Sequence, residues 1–418
     1  MPFFALGLSP DLLRAVESLG HSAPTAIQTA AIPAALKRQD VLATAPTGSG
    51  KTLAFALPLL QLLSQSQLLE VPQHRRQAQV LILVPTRELA AQVGETLISL
   101  TLHLPARPRI SVVFGGVSIN PQMMALRGGT DVLVATTGRL LDLIDHNALS
   151  INSVRALVLD EADRMLDLGF SEELSRILSL LPAHRQNLFF SATFPKAVQL
   201  LAQTLLNNPV RVEVIAKGQT ALDITQRAIC VDTGRRTQLL RHLITSLGWT
   251  RVLVFVATKH AAEIVADKLR KAGIDAEPFH GLLSQGKRTQ VLQDFKASRI
   301  TAVIATDIAA RGLDVSQLPV VVNYDLPRSA VDYTHRIGRT GRATEAGLAV
   351  SFVTADTEAH FQLIEKRQHK SIARETISGF EPAQLATPMS ASEPGGGIKG
   401  KRPSRKDKLR AAHAEAHR

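Results

Sequence analysis

Ala156-Leu157-Val158-Leu159 is followed directly by Asp160-Glu161-Ala162-Asp163. The first four residues are all apolar, which is typical of a strand buried on both faces of a parallel sheet. The next four place three carboxylates at the end of that strand, where nucleotide enzymes with parallel sheets hold magnesium and position water. The segment therefore predicts an α/β fold, with Asp160 as a magnesium ligand and Glu161 as the group that orients or deprotonates the attacking water.

An upstream segment has the composition of a phosphate-binding loop. It reads Ala45-Pro46-Thr47-Gly48-Ser49-Gly50-Lys51-Thr52 and follows the apolar run Val41-Leu42-Ala43. Small residues at the start of a helix let backbone N–H groups converge on phosphate oxygens. Lys51 can then reach the terminal phosphates, and Thr52 can bind Mg²⁺ through its hydroxyl. Alone, the match also fits an ordinary strand–turn–helix corner; the acidic cluster downstream favours a nucleotide site. The predicted phosphate-binding residues are Thr47, Gly48, Ser49, Gly50, Lys51 and Thr52.

Short apolar runs alternate with helix-like segments along most of the chain, which predicts two α/β domains with mainly parallel sheets. The predicted strands are 41–43, 80–84, 112–114, 131–135, 156–159 and 188–190, then 252–256, 301–305, 320–322 and 349–353. The pattern weakens near residue 207 and restarts near 225. We therefore predict a first domain over 1–207, a linker over 208–224, a second domain over 225–378 and a tail over 379–418.

Composition and charge favour a polyanionic partner. The 418 residues carry a formal charge of +12, which suits nucleic acid but also an anionic membrane surface. The single cysteine, Cys230, excludes an internal disulfide and fits a reducing compartment. The N-terminus lacks a signal-peptide pattern, and no run approaches the ~20 apolar residues of a membrane span. We expect a cytoplasmic protein without membrane contact.

The end of the chain is strongly basic. Residues 395–418 contain eight Lys/Arg and two Asp/Glu, a net charge of +6. Periodicity is lost after about residue 380, which predicts a disordered tail. Such a tail either keeps the protein soluble or tethers it to nucleic acid, and the sequence leaves both open.

Further motifs follow one another in a recognisable order. They are Gly20 with Pro24-Thr25-Ala26-Ile27-Gln28, Pro85-Thr86-Arg87-Glu88-Leu89-Ala90, Gly115-Gly116, Thr136-Thr137-Gly138-Arg139, Ser191-Ala192-Thr193, Phe255-Val256-Ala257-Thr258-Lys259, Gln285 with Arg288, Ala305-Thr306-Asp307, Arg311-Gly312-Leu313-Asp314 and His335-Arg336-Ile337-Gly338-Arg339-Thr340-Gly341-Arg342. With the two nucleotide motifs they make the chain resemble the DEAD-box ATP-dependent RNA helicases over residues 3 to 380. The bacterial RhlE-type branch is the one it resembles in particular.

The resemblance implies two RecA-like domains with ATP and Mg²⁺ bound between them. It implies that Gln28, whose amide is both donor and acceptor, pairs with the adenine edge. Phe3 would stack on the base, although core packing is the alternative for this ring. Asp314 would contact the ribose. Arg339 and Arg342 would be the arginine fingers that stabilise charge on the transferred phosphate, and without the resemblance they fit a surface basic patch.

The resemblance also implies how nucleotide and RNA are connected. The coupling residues would be Asp163, Ser191, Thr193 and His335, with His335 bridging to Asp163. RNA would be held by its backbone, through Arg87, Gly116, Thr136, Arg139, Gly281, Arg288 and Thr306. Arg87 fits an ion pair with Glu88 as well. Thr137 replaces the proline usual in the family, so we expect a less rigid loop there.

These observations favour an enzyme that hydrolyses ATP when RNA stimulates it and that locally unwinds short duplexes or remodels RNA–protein complexes. Two alternatives remain open at this point. One is an ATP-driven DNA helicase or translocase, and the other is a nucleotide-switched RNA-binding scaffold or annealing protein. Glu161, Arg339 and Arg342 favour catalysis over the scaffold. Ribosomal or RNA-decay proteins are the partners that the resemblance suggests, and no motif identifies one.

Overall fold

The computed structural model describes residues 2–46, 48–65, 77–214, 224–310, 318–341 and 347–383. These residues form two α/β domains, each built on a seven-stranded sheet. Every strand pair in both sheets is parallel. The predicted fold class, two tandem domains with parallel sheets, is confirmed.

The first sheet has the strand order β3-β4-β2-β5-β6-β1-β7. Its strands are β1 (Val41–Thr44), β2 (Val80–Leu83), β3 (Ile110–Val113), β4 (Val132–Ala135), β5 (Ala156–Leu159), β6 (Gln186–Ser191) and β7 (Val210–Glu213). Its helices are α1 (Pro10–Ser18), α2 (Ala26–Leu36), α3 (Lys51–Ser64), α4 (Arg87–Thr101), α5 (Asn120–Leu126), α6 (Thr137–Asp145), α7 (Ala162–Asp167), α8 (Ser171–Leu180) and α9 (Lys196–Leu205), and a short 3-10 helix spans Phe3–Leu6.

The second sheet has the order β10-β11-β9-β12-β13-β8-β14. Its strands are β8 (Ile224–Cys230), β9 (Val252–Val256), β10 (Ala276–Phe279), β11 (Ala302–Thr306), β12 (Val320–Asn323), β13 (Gly347–Val353) and β14 (Arg374–Glu375). Its helices are α10 (Arg236–Ser246), α11 (Lys259–Lys271), α12 (Gln285–Lys296), α13 (Asp307–Ala310), α14 (Ala330–Ile337) and α15 (Glu358–Gln368), with a 3-10 turn at Thr233–Arg235.

Both sheets are buried on their two faces. In β2, Val80 and Ile82 contribute to one hydrophobic cluster and Leu81 and Leu83 to another, because successive side chains point to opposite faces. β9 divides its residues between two clusters in the same way. This double burial explains why these strands read as continuous apolar runs rather than as alternating ones.

The domain boundaries differ from the predicted ones. The predicted linker 208–224 contains β7, which pairs with β1, and the first residue of β8. The first sheet therefore extends past residue 207 to Glu213. Residues 215–223 lie outside the described part of the chain.

The second domain also extends past its predicted end at residue 378. The Gly379 carbonyl accepts a hydrogen bond from Arg235, and the Ala383 N–H donates to Asp232 at 3.0 Å. Residues 384–418, most of the predicted disordered tail, lie outside the described residues. Within the described ranges, no helix has the length and apolar content needed to cross a bilayer.

Candidate active site at the domain interface

The predicted nucleotide residues of the first domain meet at the carboxyl ends of three neighbouring strands. β5, β6 and β1 are adjacent in the sheet. β1 leads into the phosphate-binding loop, β5 into Asp160, and β6 ends at Ser191. Because the strands are parallel, these three segments share one edge of the sheet, which is where ligands bind in α/β folds.

Glycine is required in the phosphate-binding loop. Gly48 and Gly50 have φ values of 79° and 92°, in the left-handed region that disfavours other residues. A β-carbon at Gly50 would lie 2.4 Å from Gln28 Nε2. Lys51 Nζ donates to the Ala45 carbonyl at 3.0 Å, so the lysine side chain folds back over the loop. Ser49 Oγ is buried and has no hydrogen-bond partner within the described residues.

Gln28 holds the phosphate-binding loop against α2. Its Oε1 accepts from Thr25 N at 2.9 Å, and its Nε2 donates to the Gly50 carbonyl at 3.1 Å. An amide oxygen accepts two hydrogen bonds and an amide nitrogen donates two, so each atom keeps one position for an adenine edge. The predicted adenine contact is therefore compatible with this arrangement. Phe3, by contrast, is only 6% exposed and belongs to the core of the first domain, as its alternative interpretation holds.

Asp160 is a buried carboxyl group, 2% exposed, at the end of β5. Its pKa is raised to about 6, chiefly by burial and also by the charges of Glu161 and Asp163, while Lys51 opposes the shift. One Asp160 oxygen accepts from Glu161 N at 3.0 Å. The surroundings of this carboxyl group therefore contain too little positive charge to keep its pKa at the ordinary value. A bound cation would supply that charge and stabilise the ionised form.

Glu161 is ion-paired with a residue that the sequence interpretation missed. Its carboxylate contacts the Arg164 guanidinium, three residues further along the chain. Burial acts to raise the pKa of Glu161, but Arg164, Lys51 and Arg339 together hold it below its ordinary value. The spacing of three residues on one helix was the available signal for Arg164. Arg339 belongs to the second domain, so its charge reaches the acidic cluster across the interface.

The predicted coupling residues form a connected network. Asp163 Oδ2 accepts from both Thr193 N, at 2.9 Å, and Thr193 Oγ1, at 2.7 Å. Ser191 Oγ accepts from Asp163 N at 3.3 Å and donates to the Thr193 carbonyl at 2.7 Å. Burial lowers the pKa of His335, and the Asp163 charge opposes that effect. Asp163 of the first domain thus acts electrostatically on His335 of the second, and the bridging role of His335 stays a prediction.

The second domain holds Arg339 beside a partly buried ion pair that was not predicted. Arg336, on α14, donates to both carboxylate oxygens of Asp307 at 2.6 and 2.7 Å. Its guanidinium also lies 4.8 Å from the centre of the Phe255 ring. These contacts fix the C-terminal end of α14 at Ile337, and Arg339 lies two residues after that end. Three predicted site residues, Thr47, Asp314 and Arg342, lie outside the described residues.

The predicted RNA-contacting residues Arg87, Gly116 and Gly281 come together across the domain interface. Arg87 Nη2 donates to the Gly281 carbonyl at 3.2 Å. A β-carbon at Gly116, whose φ is 79°, would lie 2.4 Å from Arg87 Nη1. Arg87 Nε also lies 3.4 Å from Glu88 Oε1, so the alternative ion pair is present too. The Arg87 guanidinium here is a donor that suits phosphate oxygens.

Two more of these residues lie at strand ends. Thr136 follows β4, and its Oγ1 accepts from Gly115 N at 3.4 Å. Thr306 ends β11 and is half-buried. Each therefore belongs to the carboxyl edge of its sheet.

Arg139 has one guanidinium donor that remains available. It is buried on α6 and donates to the Val117 carbonyl at 2.6 Å. Its Nε lies 3.6 Å from Asp142 Oδ2 in an ion pair, whereas its Nη1 has no hydrogen-bond partner within the described residues. An unpaired buried donor is rare, and a phosphate would satisfy Nη1. Thr137 is the buried first residue of α6, so the helix begins without the family's proline.

Arg288 differs from its predicted role. Its Nη2 lies 2.7 Å from Glu88 Oε1 of the first domain, and the two side chains are 3% and 6% exposed. Its guanidinium also lies 4.9 Å from the centre of the Phe279 ring. Burial raises the pKa of Glu88 and lowers that of Arg288 to about 10, while each partner's charge opposes the shift of the other. In this arrangement Arg288 links the two domains and faces no solvent.

Comparison with known proteins identifies both domains. Residues 25–201 match the family model of DEAD/DEAH box helicases, and residues 235–344 match the helicase conserved C-terminal domain. The DEAD-box ATP-dependent RNA helicase CshA of Bacillus cereus is 40% identical over 372 residues, which are 89% of this chain and 69% of CshA.

Solved structures agree with the fold and with the arrangement of the domains. S. cerevisiae Dbp5 bound to RNA and ADP BeF3 is 30% identical, with a TM-score of 0.77 over 90% of this chain and 95% of that one. A variant of Dbp5 bound to Gle1 and IP6 has a TM-score of 0.69 over 90% of this chain and 95% of that one, at 29% sequence identity. The domains of this chain are thus arranged more like those of Dbp5 with RNA and nucleotide. With similarity of this strength across both domains, the chain belongs to the DEAD-box ATP-dependent RNA helicases.

Proposed function

We propose that this ATP-dependent RNA helicase hydrolyses ATP between its two domains and separates short RNA duplexes when the domains close. One observation carries the proposal: the two domains meet at the predicted site residues, where Arg87 Nη2 of the first domain donates to the Gly281 carbonyl of the second at 3.2 Å, and Arg339 of the second domain adds positive charge near Glu161 of the first. A positive charge delivered by one domain to the acidic cluster of the other makes catalysis depend on closure. An arginine finger of this kind contributes roughly 10³ to 10⁵ in rate.

Mg²⁺ fits the residues at the end of β5. Asp160 is a buried carboxyl group whose raised pKa reflects an environment short of positive charge, and the Thr52 hydroxyl adds a second oxygen donor at the start of α3. Mg²⁺ is typically bound by oxygen atoms, of which the protein supplies only one or two and the substrate phosphates supply others. Asp160 and Thr52 would hold the ion, which would neutralise charge on the β- and γ-phosphates.

The remaining residues act on the nucleotide and the water. Lys51 would exchange the Ala45 carbonyl for a phosphate oxygen. Water attacks the γ-phosphorus as the bond from phosphorus to the ADP oxygen breaks. Because nearby cations keep the pKa of Glu161 low, its carboxylate is ionised and orients the water, with Arg164 holding it in place. The water proton passes through this carboxylate to solvent or phosphate.

RNA would bind along Arg87, Gly116, Thr136, Arg139, Gly281 and Thr306, on both domains at once. Two ligands that prefer the same closed state must favour each other's binding. The Asp163, Ser191 and Thr193 network, with His335, would carry this coupling. Contacts with the RNA backbone give weak sequence preference. A cytoplasmic location, ribosomal or RNA-decay protein partners and the RhlE-type branch remain predictions from the sequence.

The test is an ATPase assay paired with unwinding of a short duplex. RNA should stimulate ATP hydrolysis, whereas DNA of equal length and sequence should not, because 2′-hydroxyl contacts distinguish the two. Equal stimulation by DNA would favour the translocase alternative. RNA binding without turnover would favour a scaffold.

A further inference from the structure

A cavity of about 390 Å³ lies at the amino ends of β2, β5 and β6. Those three strands are neighbours in the first sheet, and the nucleotide residues lie at their opposite ends. The volume is within the range of ligand pockets, roughly 300 to 1,000 Å³. None of the residues assigned to nucleotide, RNA or coupling lines this cavity.

One wall of the cavity is aliphatic and another is basic. Leu59, Leu62 and Leu63 from the last turns of α3 form the aliphatic wall. The basic side chains are those of Arg38, Arg155, His184 and Arg185, and the described lining includes no acidic side chain. Neither the Arg38 nor the Arg155 guanidinium has a hydrogen-bond or ion-pair partner within the described residues. Positive charge beside buried leucines suits an anionic ligand that also carries an aliphatic part.

A third feature of the cavity is an unpaired hydrogen-bond acceptor, which favours a ligand that carries a donor. Gln79 lines the cavity and is 9% exposed. Its Nε2 donates to the Gln77 carbonyl at 3.1 Å, but its Oε1 is buried without a partner within the described residues. A buried acceptor without a donor is unfavourable, so a ligand N–H at this position would be stabilising.

We propose that this cavity is a docking site for an acidic peptide segment of a partner protein. Acidic side chains would face Arg38 and Arg155, a leucine-like side chain would contact α3, and a backbone N–H would donate to Gln79 Oε1. A peptide supplies these three groups within a few residues. The only ring in the described lining is the imidazole of His184, so a nucleotide base would find no larger aromatic surface on which to stack.

The experiment measures binding of the peptide Glu-Glu-Leu-Leu-Glu-Glu-amide, with fluorescein coupled to its N-terminal amine, to the full chain by fluorescence anisotropy. We expect saturable binding that weakens about tenfold in the double variant R38E/R155E, because two attractive charges become repulsive. K196E is the single-site control for charge change, since Lys196 is exposed on α9 and remote from the lining residues. It should bind like the parent. Both variants should keep the parental melting temperature and the parental RNA-stimulated ATPase activity.

A second variant tests the aliphatic wall. L62E places a charge where the peptide leucine would lie, and should weaken binding by a similar factor. A peptide with alanines in place of its leucines should bind weakly to the parent. Three results would overturn the proposal: equal affinity of parent and R38E/R155E, displacement of the peptide by ATP, which would indicate a nucleotide site, and displacement by an RNA oligonucleotide, which would place the peptide on the RNA face.

Discussion

Glu161 has a left-handed backbone conformation, with φ of 53°, that is uncommon for a residue with a side chain. It directly follows the buried Asp160 and precedes the first residue of α7. Strained residues of this kind cost about 1–3 kcal/mol and cluster at functional sites. The strained conformation has a functional consequence here, because it places two adjacent carboxylates at the same edge of the sheet.

The first prediction concerns the catalytic role of that residue. Glu161→Gln keeps the size of the side chain but removes its charge and its capacity to accept a proton. We expect ATP and RNA to bind as in the parent, with turnover lower by about 10² to 10⁴. Steady-state phosphate release and equilibrium binding of both ligands measure the two effects separately. Hydrolysis at the parental rate would contradict the assignment.

The second prediction concerns the pH dependence of magnesium binding at Asp160. Its pKa is raised to about 6 in the folded protein, so the carboxyl group is protonated below that pH and ionised above it. A cation needs the ionised form, so Mg²⁺-dependent ATP affinity should fall as pH drops through about 6. The same raised pKa means that the stability contributed by the protonated group is lost as pH rises from about 4 through about 6.

Titration of Mg²⁺ against ATP binding between pH 5 and pH 8 measures this effect. Glu161→Gln provides the comparison, because the Glu161 charge is one of the causes that raise the pKa of Asp160. Its affinity profile should shift to lower pH. An affinity independent of pH in both proteins would show that Asp160 is not the titrating ligand.

At the scale of elements, the sequence predicted the strands that contain no charged residue and missed the four that do, β7, β8, β10 and β14. β7 has the sequence Val-Arg-Val-Glu and lies at the edge of the first sheet, so only one residue in two is apolar. β10, an edge strand of the second sheet, contains Pro278, which is tolerated only at such positions. β8 carries the polar run Thr225-Gln226-Arg227, and β14 has two residues. Apolar runs identify buried strands and cannot identify these.

The site was predictable to the extent that its chemistry is local in sequence. The phosphate-binding loop and the carboxylates of Asp160, Glu161 and Asp163 at the β5–α7 junction belong to short motifs in which spacing fixes geometry. The pairing of Glu88 with Arg288 joins residues 200 positions apart, and no spacing rule indicates it. The burial of this pair decides between an RNA contact and a link between domains, and that burial depends on how the two domains meet.

The third prediction concerns this link between α4 and α12. Arg288→Ala removes the shorter of the two ion pairs of the buried Glu88 carboxylate and leaves it only the 3.4 Å contact with Arg87. Breaking a buried ion pair costs roughly 3–5 kcal/mol. RNA-stimulated ATP hydrolysis should fall about 10²-fold, because only the closed state is affected. The double variant E88Q/R288M removes both charges and should recover most of the activity.

Arg299→Ala is the matched control for the third prediction. It breaks an exposed pair with Asp294, 2.9 Å apart, within the second domain. Exposed pairs contribute about 0.2–1 kcal/mol, so its activity should be nearly parental. If R288A and the double variant lose activity equally, Arg288 contacts RNA directly instead of linking the domains.

At the scale of the whole molecule, charge is unevenly distributed. Residues 395–418 carry a net +6 of the total +12, and the described chain ends at Ala383, hydrogen-bonded to Asp232. The fourth prediction is that truncation after Ala383 leaves basal ATP hydrolysis unchanged and weakens RNA binding. The slope of log affinity against log salt should become shallower by about 0.7 for each RNA phosphate that the tail no longer neutralises. Equal slopes for both proteins would favour the solubility role.

The fifth prediction concerns closure itself. Three residues of the second domain act on the first only while the domains are together: Gly281, His335 and Arg339. Because ATP and RNA each bind to both domains and favour this closed state, we expect closure to require both ligands. Dyes at Glu172→Cys and Lys268→Cys, in a Cys230→Ser background, should show a change in energy transfer only when both ligands are present. Lys51→Ala, which lacks the phosphate contact, should show none under any condition. If the parent gives the same transfer with no ligand, with either one and with both, hydrolysis does not depend on closure, and the interdomain role of Arg339 is wrong.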